Sequence, residues 1–192
     1  MPAPSASALI DLVDPADNPI ARVRRGEVFE RRAGFRVAHI FVFNQQGELL
    51  LQQLGRNRDR NPLKWGSSVA GYLNAGEDYL EAASRRLREE LGLSTQLFKF
   101  GSAVMPDMGA RKFITLYLTE SSHADVGEPD HIESLRFESI PEIQKQVNEW
   151  SESFTETFLF LFRFYLSTVR LTGGGKWPDW QDPGGPVSSW NG

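Results

Sequence analysis

The residues best suited to chemistry are two adjacent carboxylates, Glu89 and Glu90, downstream of a short loop bounded by Gly71 and Gly76. Between Asp78 and Leu91 the apolar residues Leu80, Ala83, Leu87 and Leu91 recur at spacings of three and four, which predicts a helix over 78–91. Glu77 and Asp78 suit its first turn, and Gly92 suits its C-terminal stop. Glu89 and Glu90 therefore fall in the last turn, where the helix dipole disfavours carboxylates by about 0.3–1 kcal/mol each. Two kinds of partner can compensate. Arginine ladders, Glu81–Arg85–Glu89 and Arg86–Glu90, supply weak i, i+4 pairs. A divalent cation such as Mg²⁺, held by carboxylate oxygens and shared with a phosphate ligand, is the sharper alternative. On local physics alone, the arginine-paired face weighs more.

A second group of charged residues, Arg56, Arg58, Arg60 and Lys64, lies in a segment interrupted by Pro62 that reads as a loop. These side chains can steer or clamp phosphates, although a solvated loop is the ordinary role for such a run. The 192 residues carry 21 Lys+Arg against 25 Asp+Glu, a formal net charge of −4. That balance argues against a general nucleic-acid binder. The absence of cysteine excludes disulfides, thiolate metal sites and thiol nucleophiles, and fits a reducing, cytoplasmic setting. Residues 1–14 lack a basic leader, and Asp11 and Asp14 interrupt the apolar stretch, so they do not read as a signal peptide. The apolar-rich run Phe158 to Leu166 is too short for a bilayer and contains Arg163, so no membrane partner is expected.

The elements that must position these residues follow from pattern. Arg36 to Phe43 and Leu49 to Leu54 flank a Gly47-containing turn and predict a hairpin. Lys112 to Thr119 and Ser134 to Ile140 predict further strands. Ser153 and Glu156 have capping-box spacing and predict the start of a second helix, whose Phe158, Leu161, Phe162, Tyr165, Leu166 and Val169 keep helical spacing. Phe160 and Phe164 add apolar surface on its other side, which predicts either deep burial or an interface. Mixed strands and helices place the chain in the α+β class. Residues 1–34 read as an extension packed on the domain, 35–170 as the domain, and 171–192 as a Gly/Pro/Trp-rich tail docked on a surface.

The stretch from Gly71 to Leu93 resembles the Nudix box: Gly, five residues, Glu, seven residues, Arg-Glu-apolar-any-Glu-Glu-any-Gly-apolar. Gly71, Glu77, Arg85, Leu87, Glu89, Glu90, Gly92 and Leu93 stand at motif positions, and Arg86 replaces the first Glu of the Arg-Glu pair. The resemblance implies a Nudix-type α/β/α sandwich and a hydrolase that cleaves a diphosphate linkage, in a nucleoside diphosphate joined to another group or a related small molecule. It implies Mg²⁺ or Mn²⁺, with Glu90, Glu89 and the backbone carbonyl of Ala70 as ligands. By the same resemblance Glu77 and Arg85 belong to the catalytic set as braces of loop and helix. Arg56, Arg58, Arg60, Lys64 and Arg86 are candidates for contacting the phosphates. Members are often dimers, so a homodimer is a candidate state.

Within the superfamily the chain is similar to the isopentenyl-diphosphate isomerase-like subgroup, through Asp14 to Arg25, Trp65 to Gly71, and Arg85 to Gly92. The isomerase reaction needs a Cys just before the box glycine and a His just after it, and Ala70 and Tyr72 stand there. Isomerase chemistry is therefore not expected. Arg86 cannot accept a proton, so hydrolysis needs a base from Glu120, Glu128, His131 or Glu133. His39 is given no role. The alternative is a catalytically weak or inactive Nudix-fold protein that binds a nucleotide or diphosphate ligand, or a protein partner.

Overall fold

The computed structural model describes residues 8–128, 130–171 and 189–191. Strand β3 (Gly34–Phe43) lies at the centre of one mixed sheet, and its inward-facing residues alternate between two cores. Phe35, Val37, Phe41 and Phe43 pack with Phe158, Leu161 and Phe162 of α4 (Glu156–Leu171). Ala38, Ile40 and Val42 pack with Ala83, Leu87 and Leu91 of α2 (Tyr79–Leu91). Burial on both faces explains why β3 reads as a nearly continuous apolar run. Helices on opposite faces of a sheet make the α/β/α sandwich expected from the sequence.

The remaining elements are β1 (Leu9–Val13), β2 (Pro19–Arg24), α1 (Val28–Arg31), β4 (Leu49–Leu54), β5 (Trp65–Gly66) and β6 (Val69–Tyr72). They continue with β7 (Phe98–Asp107), β8 (Ala110–Glu120), β9 (Ile132–Glu138), α3 (Ile140–Glu149) and β10 (Ser189–Asn191). Strand β3 runs parallel to β8 and antiparallel to β6 and β1. Strand β10 pairs parallel with β7. The rest of the tail, on which the surface-docking expectation also falls, lies outside the described residues.

Three sequence expectations shift. The predicted hairpin closes at a single pair, Phe43↔Leu49, after which β4 diverges to pair with β9 and β5. The strand predicted over 134–140 ends at Glu138, and Ile140 opens α3, with Ser139 accepting from the Glu142 N–H as its cap. The last helix is capped by Thr155 rather than Ser153: Thr155 Oγ1 accepts from Phe158 N at 3.2 Å, and Ser153 closes a 3₁₀ turn. Of its phenylalanines, Phe158, Phe162 and Phe164 are buried and Phe160 packs partly against the same core, so burial within the chain takes up this apolar surface.

The N-terminal strands reach the glycine loop directly. Buried Asp11 of β1 accepts from Gly76 N at 2.7 Å and from Arg22 Nε at 3.1 Å. Asp17, in the β1–β2 turn, accepts from Arg36 Nε at 2.7 Å and from the Tyr79 hydroxyl at 3.0 Å. Two carboxylates from outside the predicted domain thus hold the loop and the first turn of α2.

Candidate functional site

Helix α2 begins with a full capping box, in which Asp78 and Glu81 each satisfy the other's backbone N–H. Glu81 is engaged there, so the expected Glu81–Arg85 rung is not formed. Gly92 ends the helix with φ +65, a left-handed conformation that glycine adopts without strain. Between these caps, one turn of the helix presents Arg86, Glu89 and Glu90 on a common face.

Glu77 and Arg85 hold the loop to the helix. Arg85 donates to Glu77 through Nε at 2.6 Å and Nη2 at 2.8 Å, and Nη2 also reaches the Tyr72 carbonyl at 3.2 Å. Burial alone would raise the Glu77 pKa, but the bonds from Arg85 and the Asn74 N–H outweigh it and hold it below the usual carboxylate value. Arg85 also donates to Glu89 at 3.1 Å.

Arg86 is the centre of the site. It is 3% exposed, and its guanidinium donates to three carboxylates. Nε reaches Glu90 Oε1 at 3.0 Å, Nη1 reaches Glu89 Oε2 at 2.8 Å, and Nη2 reaches Glu128 Oε2 at 3.2 Å and Glu90 Oε1. Burial opposes its charge, but Glu90 and Glu128 more than compensate, and its pKa is raised. The other Glu90 oxygen accepts from Gln52 Nε2 at 2.9 Å. Glu90 and Glu128 are themselves buried, whereas the Glu89 side chain is 29% exposed. Both arginines bond the same Glu89 oxygen, Oε2, and Oε1 accepts from no described residue.

Two glycines make this packing possible. A β-carbon at Gly71 would stand 2.5 Å from Arg86 Cγ and 2.8 Å from its Cδ and Nε. A β-carbon at Gly127 would collide with the Glu89 carbonyl oxygen, and Gly127 N donates to the Glu90 carbonyl at 2.8 Å. The loop carrying Glu128 is thereby clamped against the end of α2.

The basic loop splits into different roles. Arg58 is half-buried, lies 3.3 Å from His131 Nδ1, and is surrounded by the charges of Glu90, Arg86, Arg25 and Glu128. Burial, the largest influence, lowers its pKa against the pull of the carboxylates. Arg60 pairs with Asp107 at 2.7 Å and lies 4.7 Å over the Phe29 ring. Tyr72 links these groups: its ring stacks on Phe35, Arg25 lies 5.3 Å over it, and Arg60 and Arg25 oppose the burial that raises its hydroxyl pKa. Arg56 points away to exposed Glu133, and Lys64 makes no ion pair with a described residue. Of the four candidate bases, Glu128 and His131 adjoin the cluster, whereas Glu133 holds Arg56 and Glu120 is exposed at the end of β8. Ala70 lies in β6 opposite His39. Gln52 belongs to no motif, and only its polarity within an apolar strand sets it apart.

The divalent metal that the resemblance implies can be tested against this donor set. Glu89, Glu90 and Glu128 converge, but on the Arg86 guanidinium, which fills the position between them. A metal chelated by these carboxylates does not fit the arrangement. A shallow depression lined by Glu77, Asp78, Leu80, Glu81, Ser84, Arg85 and Arg88 runs along the outer face of α2 and does not include Glu90.

Among the described residues no helix is long and apolar enough to cross a membrane. The chain is 31% identical over 160 residues to an isopentenyl-diphosphate Δ-isomerase of Serratia proteamaculans, covering 81% of this chain and 89% of the relative. It is 30% identical over 136 residues to an uncharacterized Nudix hydrolase of Pseudomonas aeruginosa, covering 70% and 80% respectively. In fold it is similar to a Deinococcus radiodurans crystal structure, with a TM-score of 0.64, 22% identity and coverage of 74% of this chain and 90% of that one. It also resembles the NUDIX domain of Shewanella oneidensis NrtR complexed with ADP ribose, with a TM-score of 0.56, 12% identity and coverage of 71% and 89%. The NUDIX domain family model matches residues 34–158, and with the braced loop, the capped carboxylate helix and the sandwich around them, the chain belongs to that family.

Proposed function

We propose that the protein is a pyrophosphohydrolase that cleaves the diphosphate linkage of a nucleoside diphosphate joined to a second group, or of a related small molecule, presented as its Mg²⁺ or Mn²⁺ complex. The observation that carries this is the setting of Arg58, half-buried among Arg25, Arg86, Glu90 and Glu128, with the same Arg25 also lying over Tyr72, which Arg60 approaches as well. Guanidiniums suit phosphate oxygens, and several held in place together stabilise the charge that builds on a phosphoryl group under attack. Water adds to one phosphorus, the bridging P–O bond breaks towards the other phosphate, and the water proton passes to a carboxylate. Glu89 Oε1, at the exposed side of the cluster and without a described donor, is the oxygen assigned to that role. Glu77 and Arg85 position the loop and helix and do not touch the reacting atoms.

Isomerase chemistry has no support in this site, since the chain contains no Cys and Ala70 and Tyr72 flank Gly71. One observation favours a second reading, a non-catalytic diphosphate-binding protein: Arg86 bonds all three carboxylates, so none is free of an arginine. A phosphate-release screen over diphosphate compounds with Mg²⁺ and Mn²⁺ separates the two. Turnover by wild type that Glu89→Gln abolishes supports the hydrolase. Tight ligand binding without release across the panel supports the binder.

A further inference from the structure

We propose that Arg86 is a built-in cation that takes the place of a resident divalent metal between Glu89, Glu90 and Glu128, so that the free protein holds no such metal of its own. The inference concerns the site just described but does not depend on whether that site turns over.

Three features of the chain deliver carboxylates to one guanidinium. The i, i+3 and i, i+4 spacings of α2 bring Glu89 and Glu90 to Arg86. Close approach at Gly127 brings Glu128, from 42 positions along the chain, to the same group. Gln52 fixes the remaining Glu90 oxygen, so that carboxylate is held on both sides. Arg86 itself is no mobile surface side chain. Its stem lies in the space left by the missing Gly71 β-carbon, and its side chain is as buried as those of Glu90 and Glu128.

Moving it aside for a metal would strand a buried guanidinium and take the Arg86 bonds from three carboxylates, leaving Glu89 with Arg85 and Glu90 with Gln52. Both changes carry large desolvation penalties. A divalent ion entering with Arg86 still in place would meet a fixed positive charge among its own ligands. Arg86 thus supplies the neutralising charge that buried carboxylates require. A metal carried in on a diphosphate is a separate matter, because the phosphates provide its oxygens.

The test is a Mn²⁺ titration without nucleotide, on wild type, Arg86→Gln, Arg86→Glu and Arg86→Lys, followed by the EPR signal of free Mn²⁺ and by thermal melting. Wild type and Arg86→Lys should show no stoichiometric binding and no change in melting temperature on adding Mn²⁺. Arg86→Gln and Arg86→Glu should melt lower, bind one Mn²⁺ at least about tenfold more tightly than wild type, and regain stability with it. Equal Mn²⁺ affinity in wild type and these variants overturns the inference, whether that affinity is high or negligible. If both variants are unfolded without metal, refolding by Mn²⁺ supports it, and failure to refold beyond a matched ionic-strength control overturns it. A protein that passes this titration but releases no phosphate removes only the hydrolase reading.

Discussion

Gly71 lacks the β-carbon that would stand 2.5 Å from Cγ of Arg86, and through that gap the guanidinium reaches its carboxylates. Gly71→Ala is expected to cost about 1–3 kcal/mol, the range for over-packing a filled site, as a lower midpoint in urea unfolding at unchanged slope. His39 carries a second residue-scale prediction. It is buried against Ser67 Oγ at 2.9 Å, and burial, helped by the Lys112 charge, lowers its pKa from 6.5 to about 3. Between those values the unfolded chain binds a proton that the folded chain does not. Stability contributed by neutral His39 is therefore full above pH 6.5 and is lost as pH falls towards about 3, with a slope approaching about 1.4 kcal/mol per unit. His39→Gln should lose that part of the slope between pH 6.5 and 4.5. Parallel denaturation profiles for variant and wild type would show that folded His39 does take up a proton there. Residue-level legibility followed sequence distance. The Arg85–Glu89 and Arg86–Glu90 pairs follow from helical spacing, whereas Glu128 is one of four base candidates and Gln52, 38 positions from Glu90, has only its polarity within an apolar strand to mark it.

At the scale of elements, α2 was legible because its period, both ends and its buried face agree. Strand β7 was not, because Gly101 and Pro106 break its alternation and its pairing with β8 shifts register between Lys99 and Gly101. Helix α3 was hidden behind the apolar end of β9, where Ile140 suited either element. The period of the last helix is plain in the sequence, but its start is not, because Ser153 and Thr155 both offer a capping hydroxyl. Tertiary contact separates them: Thr155 N donates to the Trp65 carbonyl at 2.9 Å, which fixes the chain at that point. For α2 the cap predicts a graded result. Asp78→Ala should cost about 1 kcal/mol by removing one orphan N–H's acceptor and half of the capping box. The loss lies in the first turn, and Arg86, Glu89 and Glu90 lie in the last turns. Melting temperature should fall while the diphosphate affinity stays near that of wild type. A matching fall in affinity would mean that the cap also sets the site, through the adjoining loop that Asn74 and Glu77 hold.

Over the whole molecule the net charge is −4, yet arginines gather where the glycine loop, the N-terminal segment and the 55–64 loop meet, interleaved with Glu90, Glu128 and Asp107. Arg25, Arg58 and Arg60 come from two stretches far apart in sequence; the fold brings Arg25 and Arg60 to Tyr72 and sets Arg25 near Arg58. A globally acidic protein with a local arginine cluster repels polyanions at long range and still attracts a small one at short range, within about 8 Å at physiological salt. Binding there should stabilise the fold through mass action. Pyrophosphate at a hundredfold excess over its Kd should add about 2.7 kcal/mol, read as a rise in melting temperature, and the rise should shrink with added KCl. The two arginines that sequence alone could not rank are separated by this measurement. Arg58 is half-buried among the cluster's charges, so Arg58→Gln should abolish most of the shift. Arg56 is exposed and already paired with Glu133, so Arg56→Gln should leave the shift nearly intact. The reverse order would place the phosphate on the outer rim of the loop, away from the carboxylate helix, and would detach ligand binding from Arg86.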